Sequence, residues 1–137
     1  MNKAKVAIRD FDTKDNKYIL YVEIAVYDEQ ETRGFAPSLI LTFPHIPDEV
    51  MEKKAIAIAL IRQALHGIDL ANLKLTKEEK NKLIPLLQLS TEDLTSSIEF
   101  AEKQGIDLLN IVEFVEPTQQ FIDNWQELNE AIKAPNG

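Results

Sequence analysis

The sequence predicts an α+β domain: an N-terminal three-stranded antiparallel meander, a central buried helix, and a helical C-terminal portion with room for one further strand. Three observations carry this. Apolar residues recur at every second position in three stretches of the first 43 residues, the signature of half-buried strands. Seven consecutive apolar residues, Ala55 to Ile61, then form a run rich in alanine. Beyond it, helix-starting and helix-stopping residues recur at helical spacing. The 137 residues suit one domain, with residues 1–46 forming the meander and 47–137 mainly helix.

In the first strand, residues 3–12, Ala4, Val6 and Ile8 fall on one side and Lys5 and Arg9 on the other. The polar stretch Thr13 to Lys17 contains Asp15-Asn16, a pair that tolerates turn dihedrals, and reads as a hairpin loop. The second strand, Tyr18 to Tyr27, has a wholly apolar face of Tyr18, Leu20, Val22, Ile24 and Val26. Its other face is mixed: Ile19, Tyr21, Glu23, Ala25 and Tyr27. A charged loop from Asp28 to Gly34 leads to a third strand, Phe35 to Phe43, where Pro37 favours an edge position or a late start.

Pro44-His45-Ile46-Pro47 stops the sheet. Pro47 or Asp48 can open a helix running to about His66, with Gly67 as its stop. Its apolar centre places it against the sheet, and the alanine content with the length favours helix over a buried strand. Thr76 and Glu79 form a capping box, and the helix they start should bend or stop at Pro85, which lacks an amide proton. Ser90 or Thr91 starts another helix with Glu92 and Asp93 in its first turn, ended by Gly105. Residues 106–115 are ambiguous: Leu108, Ile111, Val112 and Val115 are spaced as in a helix, whereas the Ile, Val and Phe content favours a strand. Pro117 begins a last helix, with Phe121, Ile122, Trp125, Leu128 and Ile132 as its core stripe.

Gly67-Ile-Asp-Leu-Ala-Asn-Leu73 is echoed by Gly105-Ile-Asp-Leu-Leu-Asn-Ile111, with five of seven residues identical. One helix-stop solution used twice explains this: glycine takes the left-handed position and the following Ile packs back on the last turn. Internal duplication would instead pair Asp69 with Asp107, but the flanks barely match.

No catalytic residue, cofactor site or metal site emerges. Without cysteine, disulfides, zinc–thiolate sites and thiol catalysis are excluded. The four glycines form no phosphate-cradling loop, and no serine sits in a nucleophile elbow. His45 and His66 stand alone in sequence; His66 suits the negative end of a helix dipole. Asp10, Asp12, Asp15 and Asn16 could offer oxygen ligands, but without the glycine and distal glutamate of a calcium loop they read as a solvated turn. No run is long or apolar enough for a signal peptide or a membrane span, so a cytoplasmic protein without membrane contact is expected.

The net charge of −8 is uneven. Residues 1–46 hold six Lys/Arg and seven Asp/Glu, residues 47–88 seven and six, and residues 89–137 two and ten. In a helix-turn-helix drawn from residues 76–104 the second helix would carry Glu92, Asp93, Glu99 and Glu102 against only Lys103 and be repelled by phosphate, so direct nucleic-acid binding is not expected. The expected function is a non-enzymatic binding protein, regulatory or inhibitory, contacting a basic protein partner. Its contact residues would be Glu92, Asp93, Glu99, Glu102, Glu116, Asp123, Glu127 and Glu130, joined by Tyr21 and Tyr27 on the mixed strand face. Solubilisation alone is the plainer role for such charge, and cover by the C-terminal helices the plainer fate of that strand face. Two alternatives remain. An acidic mimic of nucleic acid would need those carboxylates, with Glu113, on one surface. A small-molecule-binding domain or small enzyme would need a concave apolar pocket with converging polar groups, His45 or His66 among them.

Overall fold

The computed structural model describes residues 3–27, 33–68, 73–114 and 123. Three strands, β1 (Ala4–Lys14), β2 (Lys17–Tyr27) and β3 (Arg33–Phe43), form the expected antiparallel meander. The hairpin between β1 and β2 is tighter than the five-residue loop expected. Asp15 and Asn16 alone make the turn, both with positive φ (53° and 63°), the dihedrals of a two-residue turn matched to strand twist.

Helix α1 (Glu49–Leu65) lies against the sheet as its composition predicts. The Asp48 carboxylate accepts from the Met51 amide at 2.6 Å and caps the start. Ala55, Ile56, Ala57, Ile58, Leu60 and Ile61 are all buried, so this helix is enclosed on most sides. They pack on inward cross-strand rows. Ile8, Val22 and Leu39 share one row, Phe11, Leu20 and Leu41 the next, Thr13, Tyr18 and Phe43 the last. The Tyr18 ring is flanked by Phe11 and Phe43, each 6.1 Å away between centroids.

The row containing Phe11 exists because of a bulge. Between Ile8 and Asp10 the register slips, so Arg9 is an extra residue in β1. Without it the alternation of Ala4, Val6 and Ile8 would continue inward through Asp10 and Asp12. With it, Phe11 turns inward, and Asp10 and Asp12 are exposed.

Helix α2 (Lys77–Leu83) begins at the expected capping box. The Thr76 amide donates to Glu79 Oε1 (2.9 Å) and the Glu79 amide to Thr76 Oγ1 (3.1 Å). Around Pro85 the chain tightens to a 3-10 turn, Ile84–Gln88, that buries Leu86. A helix of two turns depends on its cap, so Thr76→Ala should cost about 1 kcal/mol of stability and Thr76→Ser close to none. Urea denaturation of the two variants is the measurement; equal midpoints would show that the cap contributes nothing.

Helix α3 (Leu94–Lys103) starts later than expected. Asp93, rather than Ser90 or Thr91, is the cap, accepting from the Ser96 amide at 3.1 Å, and Glu92 precedes the helix. α1 and α3 end alike. Gly67 and Gly105 have φ of +83° and +84°. Ile68 donates to Gln63 O and Gly67 to Ala64 O, while Ile106 donates to Ala101 O and Gly105 to Glu102 O. This is the Schellman stop twice over, which accounts for the Gly-Ile that opens both segments. Asp107 caps the 3-10 turn that follows, Leu108–Asn110; Asp69 lies outside the described residues.

Of the ambiguous stretch 106–115, the described residues 106–114 are neither one helix nor one strand. After the 3-10 turn comes β4 (Val112–Phe114), paired parallel with β1 through Ala4–Val112, Lys5–Glu113 and Val6–Phe114. The sheet order is therefore β3-β2-β1-β4. The expected stripe of Phe121, Ile122, Trp125, Leu128 and Ile132 lies outside the described residues. Among the described residues no helix is long and apolar enough to cross a membrane.

Candidate functional site

Among the described residues β3 is an end strand of the sheet; of its inward side chains Leu39 and Phe43 are buried and Leu41 is half-buried. A groove of about 800 Å3 opens beside them. Its second wall is one stripe of α1: Ala55, Ala59, Arg62 and His66, at steps of three and four residues. The two alanines leave room that larger residues would fill. The third side comes from the approach to α3, where Thr91, Glu92 and Leu94 line the groove.

That third side is positioned from α1. Arg62 donates through Nη1 to Leu86 O (2.6 Å) and through Nη2 to Leu89 O (3.0 Å), fastening the turn after Pro85 onto the helix. From Leu89 the chain enters a turn in which Ser90 Oγ accepts from the Glu92 amide (3.2 Å). Asp93 then caps α3. One guanidinium thus sets the path that brings Glu92 to the groove.

Among the described lining residues Lys17 and Arg62 are cationic and Glu92 is anionic. The net charge of the chain is −8. Ile40, on the outward side of β3 at the groove's lip, is 65% exposed.

The carboxylates singled out in the sequence have separate placements. Glu92 lines the groove; Asp93 is spent on the helix cap. Glu102 pairs with Lys54 of α1 at 2.7 Å and ties α3 to the central helix. Glu99 and Asp123 are exposed. Glu116, Glu127 and Glu130 lie outside the described residues. Tyr21 is half-buried on the outward sheet face, in one row with Asp10 and Ile40. Tyr27 pairs with Arg33 at the end of β2, and its side chain is outside the described set. His66 lines the groove, and His45 is exposed on the loop after β3. Asp10 and Asp12 accept from the amides of Phe11 and Thr13, each at 2.8 Å. Among the described residues no three His, Asp or Glu side chains gather as a metal site would require.

A buried carboxyl lies away from the groove lining. Glu52, in the first turn of α1, is 9% exposed. Burial, followed by the negative charge of Glu49, pushes its carboxyl up to about 7, against the opposing pull of Lys53. Lys53 itself is held 3.1 Å from Glu49 and stands over the Phe114 ring at 5.6 Å. Burial, and then the Glu52 charge, also raises the Tyr18 hydroxyl. A carboxyl held near neutrality is a form that acid–base catalysts use. Here it is packed into the helix–sheet interface and is not among the groove-lining residues.

Sequence reading passed over Lys17, Ala55, Ala59 and Arg62. The signal it held was Ala55 and Ala59, four residues apart in an alanine-rich helix and continued by Arg62 and His66 on the same stripe. No family model, no curated protein and no solved structure matches this chain.

Proposed function

We propose that this protein is a non-enzymatic protein-binding domain that holds an extended segment of a partner in the groove between β3 and α1. The observation that carries this reading is the groove's location. It runs beside β3, an end strand of the sheet among the described residues, with the half-buried Leu41 of β3 and Ala59 of α1 in its lining. Clefts between a sheet edge and a helix are a recurrent way of binding extended peptides, because the edge offers backbone hydrogen bonds and the helix offers side-chain pockets. By occupying a partner's segment, such a domain acts as a regulator or inhibitor.

The acidic-surface readings have less support. Asp93 and Glu102 serve the fold, which leaves fewer carboxylates for a phosphate-like array. The small-molecule alternative keeps one supporting observation: His66, Arg62 and Glu92 line a common groove. Native mass spectrometry of the purified protein separates the two, since a retained small molecule would favour the alternative.

The test of the peptide reading is selection of a random dodecapeptide phage library on the wild-type protein, followed by affinity measurement on Ala59→Trp. Ala59 is half-buried on the groove wall, so tryptophan fills the groove without entering the core. Selected peptides should lose about ten-fold or more in affinity, consistent with loss of a central contact, while the thermal midpoint stays near wild type. Absence of enriched peptides, or equal binding to Ala59→Trp, overturns the reading.

A further inference from the structure

Independently of what the groove holds, we infer that the first turn of α1 is a pH-sensitive latch. It seats on the sheet while the Glu52 carboxyl is protonated and swings out when that carboxyl ionises, with the rest of the helix left in place. The burial pattern of the turn carries this. Glu49 is exposed and the aliphatic Val50 is 51% exposed, whereas Glu52 is buried. Met51 is half-buried against the core. The most deeply buried side chain of this turn is therefore a carboxyl, where an amphipathic helix would put an apolar group. From Ala55 onward the pattern changes. Ala55, Ile56, Ala57 and Ile58 are all buried, so apolar packing holds the helix from there on. The hinge lies between Glu52 and Ala55.

Among the described residues, the groups that bear on Glu52 leave its ionised form poorly compensated. From β2 comes the Tyr18 hydroxyl, which burial and then the Glu52 charge hold in its protonated form. From the preceding loop, the Asp48 carboxylate is turned to the Met51 amide at 2.6 Å. Glu49 adds negative charge. Lys53 opposes it, but its ammonium is held by Glu49 at 3.1 Å and stands over the Phe114 ring of β4 at 5.6 Å. Burial is the largest influence, and it favours the neutral acid. Swinging out returns the carboxylate to water at the loss of one terminal turn, and helix ends are where local opening comes most readily. It also carries Lys53 off Phe114, so β4 senses the state of the turn. The seated carboxyl ionises at about 7 and the freed one at its ordinary 4.5, so the latch is closed in mild acid and loosens as pH rises between those values.

The experiment is amide hydrogen exchange of the full chain, read residue by residue from pH 5 to pH 8 and corrected for the pH dependence of chemical exchange itself. The amides of Met51 to Lys54 should quicken by about ten-fold per pH unit up to neutrality and level off above it, since each opening releases one proton. Low concentrations of urea should leave these rates unchanged, because a single turn exposes little surface. The amides of Ile58 to Ile61 should exchange far more slowly and only through urea-sensitive unfolding. Glu52→Gln should abolish the gain at Met51 to Lys54, and Glu49→Gln should retain it. Over the same pH range the side-chain resonances of Lys53 should lose the ring-current shift imposed by Phe114. An equal, urea-sensitive gain at every amide would mean that the carboxyl is relieved only by unfolding of the whole chain, and overturns the latch. Corrected rates at Met51 to Lys54 that stay flat with pH, or a gain that survives in Glu52→Gln, overturn the assignment to Glu52.

Discussion

Glu52→Gln should raise the stability of the protein by about 3 kcal/mol at pH 8 and leave it nearly unchanged at pH 4. The carboxyl is 9% exposed and ionises near pH 7 in the folded chain, against 4.5 for the unfolded group. Below pH 4.5 both states hold the proton, and the group carries no penalty. Between 4.5 and 7 the unfolded chain releases its proton while the folded chain retains it, so stability falls as pH rises. Above 7 both are ionised and the loss is complete. Glutamine keeps the shape and cannot ionise, which removes the slope. Urea denaturation of wild type and variant at pH 4, 6 and 8 measures it. A difference that is flat across this range would show that Glu52 is solvated in the folded state. A carboxylate kept at such a cost in a helix–sheet interface also makes this protein more stable in mild acid than at neutral pH, as far as this one group decides.

Arg62→Met should cost about 2–3 kcal/mol and loosen the segment from Leu86 to Asp93. The two bonds from the guanidinium to Leu86 O and Leu89 O are charge-assisted, and both carbonyls lose that charged donor when it is removed, Leu86 O keeping only the Leu89 amide at 3.2 Å. Methionine retains the stem's packing, so the loss reports the hydrogen bonds rather than a cavity. Lysine should rescue little, because one ammonium cannot reproduce the planar fork that reaches two carbonyls. Hydrogen exchange is the discriminating measurement. Amides of residues 89–93 should exchange faster in Arg62→Met while those of β1 and β2 keep their wild-type protection. Equal exchange throughout would mean that packing of Leu86, not Arg62, holds this turn.

Elements dictated by near neighbours along the chain are legible in the sequence. The meander hairpin, the Asp48 start of α1, the Thr76–Glu79 capping box and the two glycine stops all rest on interactions between residues close in sequence. What escapes such reading depends on the third dimension. Ser90, Thr91 and Asp93 are all competent caps, and it is Asp93 whose carboxylate meets the Ser96 amide. The bulge at Arg9 has no glycine or proline to announce it. Its cause is the need to keep Asp10 and Asp12 out of the core and Phe11 in it. The acidic tally of residues 89–137 is correct as a count but silent on neutralisation. Glu102 is paired by Lys54, which belongs to another helix. The groove is least legible of all, since it exists only where β3 and a helix stripe face one another.

The fourth strand bears on how the chain assembles. Ala4 pairs with Val112 and Val6 with Phe114, so the first and last described strands are neighbours. Closing so long a loop is entropically costly and slow compared with forming the adjacent hairpins. During synthesis, the outer side of β1 lacks its β4 neighbour until residue 114 has emerged. The meander and α1 can form on their own timetable, with β4 arriving after them to seal that side. Slow synthesis around residues 112–114, or truncation before Val112, would prolong the period in which β1 is open to pairing with other chains.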